Sequence, residues 1–261
     1  MAASQRTGTQ SLERAVLVLR ELATHGKFGW GLGEIAERCG LDRGTTHRLL
    51  ACLVRERLVQ QRASNRHYLL GPLIFELGLA LPGYVEFQSA CRAPVARVAK
   101  RFEATSVLYL RSGTDWVCAA RAGPPVYGGT ILEVGTRRPL MSSVGGAAIL
   151  MALPPREAQA IVAQNKKQMR QRGDAPITLL EGMLKRSETL GYAFNQGEVS
   201  KGVHSFGVPI LNAQAEVFAS LTVAGRAADF PASRGAELVK VLREECDNIA
   251  KRWQRVFGYA A

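Results

Sequence analysis

The spacing of apolar residues changes several times along this chain, and each change marks an element. Across residues 11–24 (SLERAVLVLRELAT), Leu12, Ala15, Val16, Leu19 and Leu22 recur at helical spacing. Ser11 is suited to cap them, which predicts an amphipathic first helix. The glycine-rich run 26–33 (GKFGWGLG) breaks the pattern. Trp30 within it reads as a core anchor, with a dimer contact as the other option. Residues 34–38 (EIAER) predict a short helix with Ile35 and Ala36 inward, ended by Cys39-Gly40. Gly40 suits the left-handed turn between two helices. The stretch 41–54 (LDRGTTHRLLACLV) follows, with Asp42 as its N-cap. Thr46, Leu49, Leu50 and Leu53 fall on one side of this helix. Gly44, His47, Arg48, Ala51 and Arg55 fall on the other.

Beyond it, the strand-like runs 58–61 and 67–70 flank a polar turn and predict a hairpin. Gly71-Pro72 is a break. Residues 73–81 (LIFELGLAL) predict a helix that is apolar nearly all round and therefore buries against another chain or domain. Pro82-Gly83 stops it. A helix over 87–102 follows, with Pro94 as a kink or a new start. Strands are expected at 107–111, 116–121 and 130–134, then a helix at 147–153 opened by the run SSVGG, then helices at 155–167 and 177–189. Strands at 203–211 and 217–224 and a closing helix at 233–257 complete the pattern. Hairpins alternating with helices predict an α+β fold around a mostly antiparallel sheet. The expected domains are a disordered tail (1–9), a small domain of helices and a hairpin (10–72), a linker helix (73–83) and a larger domain (84–261).

Composition narrows this picture modestly. The chain has 261 residues, 47% of them hydrophobic, enough for two folded domains. Its net charge of +12 favours polyanionic partners. The charge does not locate the contact, because residues 1–83 carry 11 Lys/Arg against 7 Asp/Glu and the rest 23 against 15. Five scattered cysteines without a CxxC pair suggest neither a disulfide framework nor a zinc site. Four histidines without ligand spacing add no metal site, and no cofactor is expected. With no long apolar run and no apolar core near the N-terminus, no membrane segment is expected, and a reduced cytoplasm fits.

Chemistry concentrates on the 41–54 helix. Its outer face is narrow and mixes small residues with basic and polar ones. A helix entering a major groove needs that combination: room to approach, cations for phosphate and donors for base edges. Arg43, Thr45, His47 and Arg48 are the expected DNA contacts, with Thr46 turned more toward the core. Arg62, Asn65 and Arg66 lie in the hairpin turn, within reach of phosphate or minor groove. An ordinary pair of core helices with a solvated hairpin turn is the plainer alternative. Nothing in the chain pairs a nucleophile with a base, and the serines at 142–143 lack a GxSxG setting, so an enzyme is not expected.

In the joint order of its motifs the chain resembles the IclR family of transcription regulators. The motifs are SLERAV at 11–16, EIAERCGLDRGTTHRLLACLV, YLLGP at 68–72, LIFELG, RRPLMSS, LGYAFNQGE at 190–198, GVHSFGVPI at 202–210 and SLTVAG at 220–225. The resemblance implies an N-terminal winged helix-turn-helix, a linker helix and a C-terminal effector domain of GAF-like fold. It also implies homodimers assembling into homotetramers, an imperfectly palindromic double-stranded DNA operator and a small organic ligand. Carried over by motif, the ligand-binding positions are Ser143, Val144, Gly145, Asn195, Ser205 and Thr222, with Met141 beside them. Backbone N–H groups at a helix start flanked by small residues suit a carboxylate independently of the resemblance. Asn195 is uncharged where the family often has an acid, and Ala224 lacks a hydroxyl. These departures point to a less polar pocket, suited to an aromatic or larger organic acid. His204, beside Ser205 on the expected strand, reads as structural. The function expected is regulation of DNA binding by this acid, and the alternative is an architectural DNA-binding protein indifferent to ligands.

Overall fold

Three helices and a hairpin build the first of two units into which the chain divides, Met1–Pro82 and Gly83–Ala261. The computed structural model describes residues 9–125, 132–172 and 177–257. Helices α1 (Gln10–Ala23), α2 (Leu32–Cys39) and α3 (Arg43–Arg55) are followed by strands β1 (Val59–Gln61) and β2 (Tyr68–Leu70). Gly40 ends α2 at φ +63° and turns the chain into α3, as its sequence position predicts. Val18, Leu22, Ile35, Leu50, Leu53, Val59 and Tyr68 form the core. The strands pair antiparallel, Val59 opposite Leu70 and Gln61 opposite Tyr68. Trp30 adds a bridge to Tyr68, so the connection before α2 lies along the hairpin. Its indole packs against the core, stacks on His25 and donates to the Glu21 carbonyl at 3.3 Å.

The first helix corrects the sequence reading. Thr9, not Ser11, is its N-cap, and no side chain caps it. Leu12 is 65% exposed and Val16 is exposed too, while Val18, Glu21 and Leu22 are buried. The helix is apolar on two sides, so periodicity alone could not choose the core side. The tail expected over 1–9 lies outside the described residues apart from Thr9. Helix α4 (Pro72–Leu79) buries none of its residues within this chain and Phe75 is 70% exposed, so the apolar surface expected to meet another chain or domain is uncovered here.

The second unit begins on α5 (Pro82–Phe102), which starts at the proline expected to mark a stop and runs unbroken past buried Pro94. Proline at a helix start costs nothing, because its missing N–H would be unpaired there. A six-stranded antiparallel sheet follows, in the order β5-β4-β3-β8-β7-β6. Its strands are β3 (Thr105–Ser112), β4 (Asp115–Ala122), β5 (Arg137–Pro139), β6 (Ala193–Gln196), β7 (Val203–Leu211) and β8 (Val217–Arg226). Within the expected strand 130–134, residues 130 and 131 lie outside the described residues and 132–134 form no strand. The edge strands are instead β5 and β6, both too short to announce themselves by alternation.

Helices cover both faces. On one, α5 and α9 (Gly235–Phe257) bury Phe87, Val95, Leu238, Leu242 and Ile249 against Leu108, Phe206 and Leu221. On the other, α6 (Val144–Met151), α7 (Pro155–Arg172) and α8 (Ile177–Leu190) pack on Val107, Tyr109, Trp116 and Ala193. Alternation assigns each strand residue to one face or the other. Helix α6 packs tightly at its first turn, where Gly145 and Gly146 follow Val144. A Cβ on Gly146 would overlap the Leu140 carbonyl, and one on Gly145 would enter the Tyr109 ring. Gly182, exposed on α8, meets nothing within 4 Å at its Cβ position. Urea unfolding should therefore show Gly146→Ala destabilising by about 2 kcal/mol, whereas Gly182→Ala should stabilise by roughly 0.5 kcal/mol. Equal effects from both changes would contradict this account of α6.

Candidate functional sites: a helix face and a buried cavity

The outer face of α3 is positioned from its first turn. Asp42 lies in extended backbone just before the helix, and its carboxylate accepts the Thr45 N–H at 2.8 Å. Hydrogen bonds from Thr45, its side chain first and its backbone N–H second, hold the Asp42 carboxyl below its ordinary value of 3.8. Thr45 in turn accepts from the Arg48 guanidinium at 3.2 Å. Gly44, His47, Arg48 and Ala51 are exposed together, as their spacing predicts, and Arg43 is exposed beside them. Thr46 does not join them. It is fully buried and its hydroxyl donates to the Asp42 carbonyl at 2.9 Å, so it secures the helix start instead of facing outward.

The hairpin turn sorts its three expected contacts. Arg62 does not project from the tip, because its guanidinium donates to the Phe28 carbonyl at 3.3 Å and to that of Lys27, tying the hairpin to the loop before α2. Asn65 is exposed and uses its side-chain oxygen to accept from the His67 N–H at 3.1 Å. Arg66 is exposed at φ +60°, in the left-handed region that sharp turns demand. On the α3 face and the hairpin turn, Arg43, Arg48 and Arg66 are outward basic groups, with His47 exposed on the same helix. Arg55 also faces outward but pairs with Glu56 at 3.0 Å.

A cavity of about 80 Å³ opens on the α6 face of the large sheet, and all six strands contribute to its lining. Val107 and Tyr109 come from β3, Trp116 from β4 and Arg138 from β5. Asn195 comes from β6, Val203 and Ser205 from β7, and Thr222 and Ala224 from β8. Ser142, Ser143 and Val144 at the start of α6 form one wall. Five of the seven pocket residues expected from the sequence therefore meet here: Ser143, Val144, Asn195, Ser205 and Thr222. Met141 does not, being fully buried in the core, where its N–H donates to the Asn165 side chain at 3.1 Å. Gly145 supports the site from behind, with the Tyr109 ring against it and its carbonyl accepting from Ser220 at 2.8 Å.

Buried polar groups in the cavity are mutually held. The Asn195 amide donates to Ser205 Oγ at 3.1 Å and to the Val203 carbonyl at 3.2 Å, and its oxygen accepts from the Val199 N–H at 3.0 Å. Ser143 caps α6 by accepting from the Gly146 N–H at 3.0 Å. Since Ser143 and Ser205 each accept a hydrogen bond, each keeps a proton to donate. The Tyr109 phenol, neutral at pH 7 and pushed further up by burial, adds a hydroxyl hydrogen-bonded to Thr222. Tyr109 and Trp116 meet edge to face at 4.8 Å, making part of the lining aromatic. Periodicity could not reveal Tyr109, Trp116 or Arg138 as lining residues. Tyr109 and Trp116 look like ordinary strand apolar residues, and β5 was not foreseen. A larger groove of about 500 Å³ beside β8 is lined by Thr105, Arg226 and Arg234, but those arginines pair with Asp229 at 2.7 Å and Glu237 at 3.0 Å. His204 turns from the smaller cavity, with Nδ1 2.9 Å from the Phe230 carbonyl, the structural role its position suggests. No helix among the described residues is long and apolar enough to cross a membrane. No cluster of His, Cys, Asp and Glu among them is placed to hold a metal ion.

Two family models match the chain. One describes the IclR helix-turn-helix domain and covers residues 11–63, and the other, bacterial transcriptional regulator IclR C-terminal, covers 85–251. The chain is 26% identical to the HTH-type transcriptional regulator XynR of Escherichia coli K12, over 97% of this chain and 98% of that protein. It is 28% identical to the glycerol operon regulatory protein of Streptomyces coelicolor, over 77% of this chain and 78% of that one. Among solved structures, an IclR family transcriptional regulator from Brucella abortus matches at TM-score 0.71 and 24% identity, over 95% of this chain and 94% of that one. An IclR homolog complexed with 4-hydroxybenzoate from Microbacterium hydrocarbonoxydans matches at TM-score 0.67 and 18% identity, over 94% of this chain and all of that one. At these identities the structural matches speak for the fold.

The Asp42 cap generates a prediction with a definite sign in pH. Because its carboxyl titrates lower in the folded protein than unfolded, its contribution is complete at neutral pH and is lost as the pH falls below about 3.8. Asp42→Ala should lower the urea midpoint at pH 7, and its deficit against the wild type should shrink as the pH approaches 3. A deficit that is constant or grows with acid would contradict the cap.

Proposed function

The chain belongs to the IclR family of DNA-binding transcription regulators, not to a family of enzymes, and on that premise we propose that a small organic acid held in the C-terminal cavity sets its affinity for an imperfectly palindromic operator. The observation that carries this reading is the convergence of Ser143, Val144, Asn195, Ser205 and Thr222 on one cavity from four separate segments of chain. Neutral donors in a buried, partly aromatic pocket suit a small acid with a flat or apolar body. The 4-hydroxybenzoate bound by the Microbacterium relative is of that class. Arg43, Thr45, His47 and Arg48 enter the major groove, with Asn65 and Arg66 steadying the hairpin on the adjacent backbone. Arg62 serves the same end indirectly, by fixing the hairpin to the loop before α2.

Assembly into dimers and then tetramers fits the apolar surface this unit leaves uncovered within the chain: Leu12, Val16 and Leu17 on α1, Phe75, Leu77 and Leu79 on α4. Paired readers on a twofold dimer address half-sites spaced by the DNA repeat. A cytoplasmic location follows from this role. The acid shifts operator occupancy only by its difference in affinity between the DNA-bound and free arrangements.

Fluorescence anisotropy on DNA from upstream of the protein's own gene, against scrambled DNA at two salt concentrations, tests the reader. His47→Ala and Arg48→Ala should each weaken specific binding by roughly tenfold, with the fold intact, in line with about 1–3 kcal/mol per lost contact. Unchanged affinity in both variants would defeat the face assignment. Equal, steeply salt-dependent binding to both DNAs would instead favour an architectural protein.

In the same assay Asn195→Leu should abolish the response to acid while leaving acid-free DNA binding unchanged. A response that survives this substitution would place the effector elsewhere.

A further inference from the structure

We propose that Arg138 selects the charged end of the effector, which is a carboxylic acid bearing a neutral hydrogen-bonding group at its far end. The acid lies with its carboxylate at the Arg138 guanidinium and its neutral group against Asn195 and Ser205. This rests on the cavity being the effector site and adds which way the ligand points and what it must carry.

The argument begins with alternation along β5. Arg137 and Arg138 are neighbours on a strand and so face opposite ways. Arg137 is used by the fold, donating to Ser112 at 2.8 Å and pairing with Asp115 at 3.3 Å. Arg138 stands opposite Trp116 in register and lines the cavity with it. It is exposed, with no carboxylate partner among the described residues, and it is the only charged side chain among the described residues lining the cavity. Its charge reaches as far as the Tyr109 phenol, where it opposes the upward shift that burial produces.

The two ends of the cavity differ. Strands β5 and β6 are opposite edges of the sheet, so Arg138 and Asn195 enter the lining from its two sides. The Asn195 end is buried and neutral, since Asn195 and Ser205 are 1% and 6% exposed and carry no charge. A carboxylate placed there would lose its hydration without meeting a cation, which is costly. Placed at Arg138 it keeps water on one side and gains a charge-assisted, bidentate partner. A hydroxyl or carbonyl at the other end finds what it needs, because Ser205 accepts from Asn195 and has its own proton to give. An acid without that far group leaves a buried donor unmet, and a neutral amide forgoes the arginine.

The test is calorimetric titration of the full-length protein with 3-hydroxybutyrate and 4-hydroxybenzoate, each beside its carboxamide. The wild type should bind at least one acid tenfold or more tighter than its amide. In Arg138→Ala that ratio should fall toward one with amide affinity unchanged, and Arg138→Lys should restore part of it, a lysine keeping the charge but not the bidentate geometry. Asn195→Leu should weaken acid and amide alike. An acid-to-amide ratio that survives Arg138→Ala, while Asn195→Leu still weakens binding, would overturn the role of Arg138 and leave the cavity as the effector site. Acid binding indifferent to Asn195→Leu, or no binding by either acid, would overturn both. Arg138 is exposed on an edge strand, so the alanine variant should unfold with the wild-type midpoint, which keeps a loss of discrimination distinct from a loss of fold.

Discussion

Helix α6 meets its sheet through glycine, at Gly145 on the helix and Gly207 on the strand, and the C-terminal domain is arranged around that approach. The Tyr109 ring occupies the space a side chain at Gly145 would fill, and the Leu140 carbonyl occupies that of Gly146. Beneath them, Gly207 on β7 keeps the Val144 carbonyl and Ala148 close to the strand. Ser220 then fastens the first turn by donating to Gly145, and Ser143 closes it by capping. One consequence is structural, since a helix packed this closely transmits small shifts rather than absorbing them. The other is chemical, because the same approach brings Ser143 and Val144 to the rim of a cavity whose opposite wall is the sheet itself.

Much of the reader was legible because its signals are local. Gly40 must take a left-handed turn, Asp42 must cap, and the 3.6-residue period of α3 then divides inward from outward residues with few exceptions. The exceptions have physical causes. Thr46 stands among the expected contacts although its period turns it inward, and a threonine hydroxyl within a helix can satisfy itself on the carbonyl four residues back. Arg62 looked like a free cation in a turn, but the loop before α2 passes beside it and offers two carbonyls. Leu12 and Val16 misled because α1 carries apolar residues on more than one side, and nothing local says which side the chain itself covers.

The convergence of the cavity's lining residues was legible only through resemblance. Its polar residues lie far apart in sequence, and no spacing rule connects Ser143 with Asn195 or Thr222. Met141 was misplaced because one residue of helical rotation separates cavity wall from core. Tyr109, Trp116 and Arg138 were missed because their roles depend on how three strands pair. The pairing of β3 with β4 shifts register at Leu108 and Tyr109, a local irregularity of the kind that re-aims side chains next to functional sites. Such an irregularity has no signature in composition.

The central claim is that the cavity and the reading helix share one equilibrium, so that what binds in one changes the other. Thermodynamic linkage makes this claim reciprocal: whatever factor the acid imposes on operator affinity, the operator must impose on acid affinity. The most direct measurement is the acid's dissociation constant by calorimetry on the free protein and on the protein saturated with operator DNA. A change in acid affinity that matches, in size and direction, the change in operator affinity caused by the acid is the result predicted here. Identical acid affinity with and without operator would contradict it, leaving a cavity that binds without regulating.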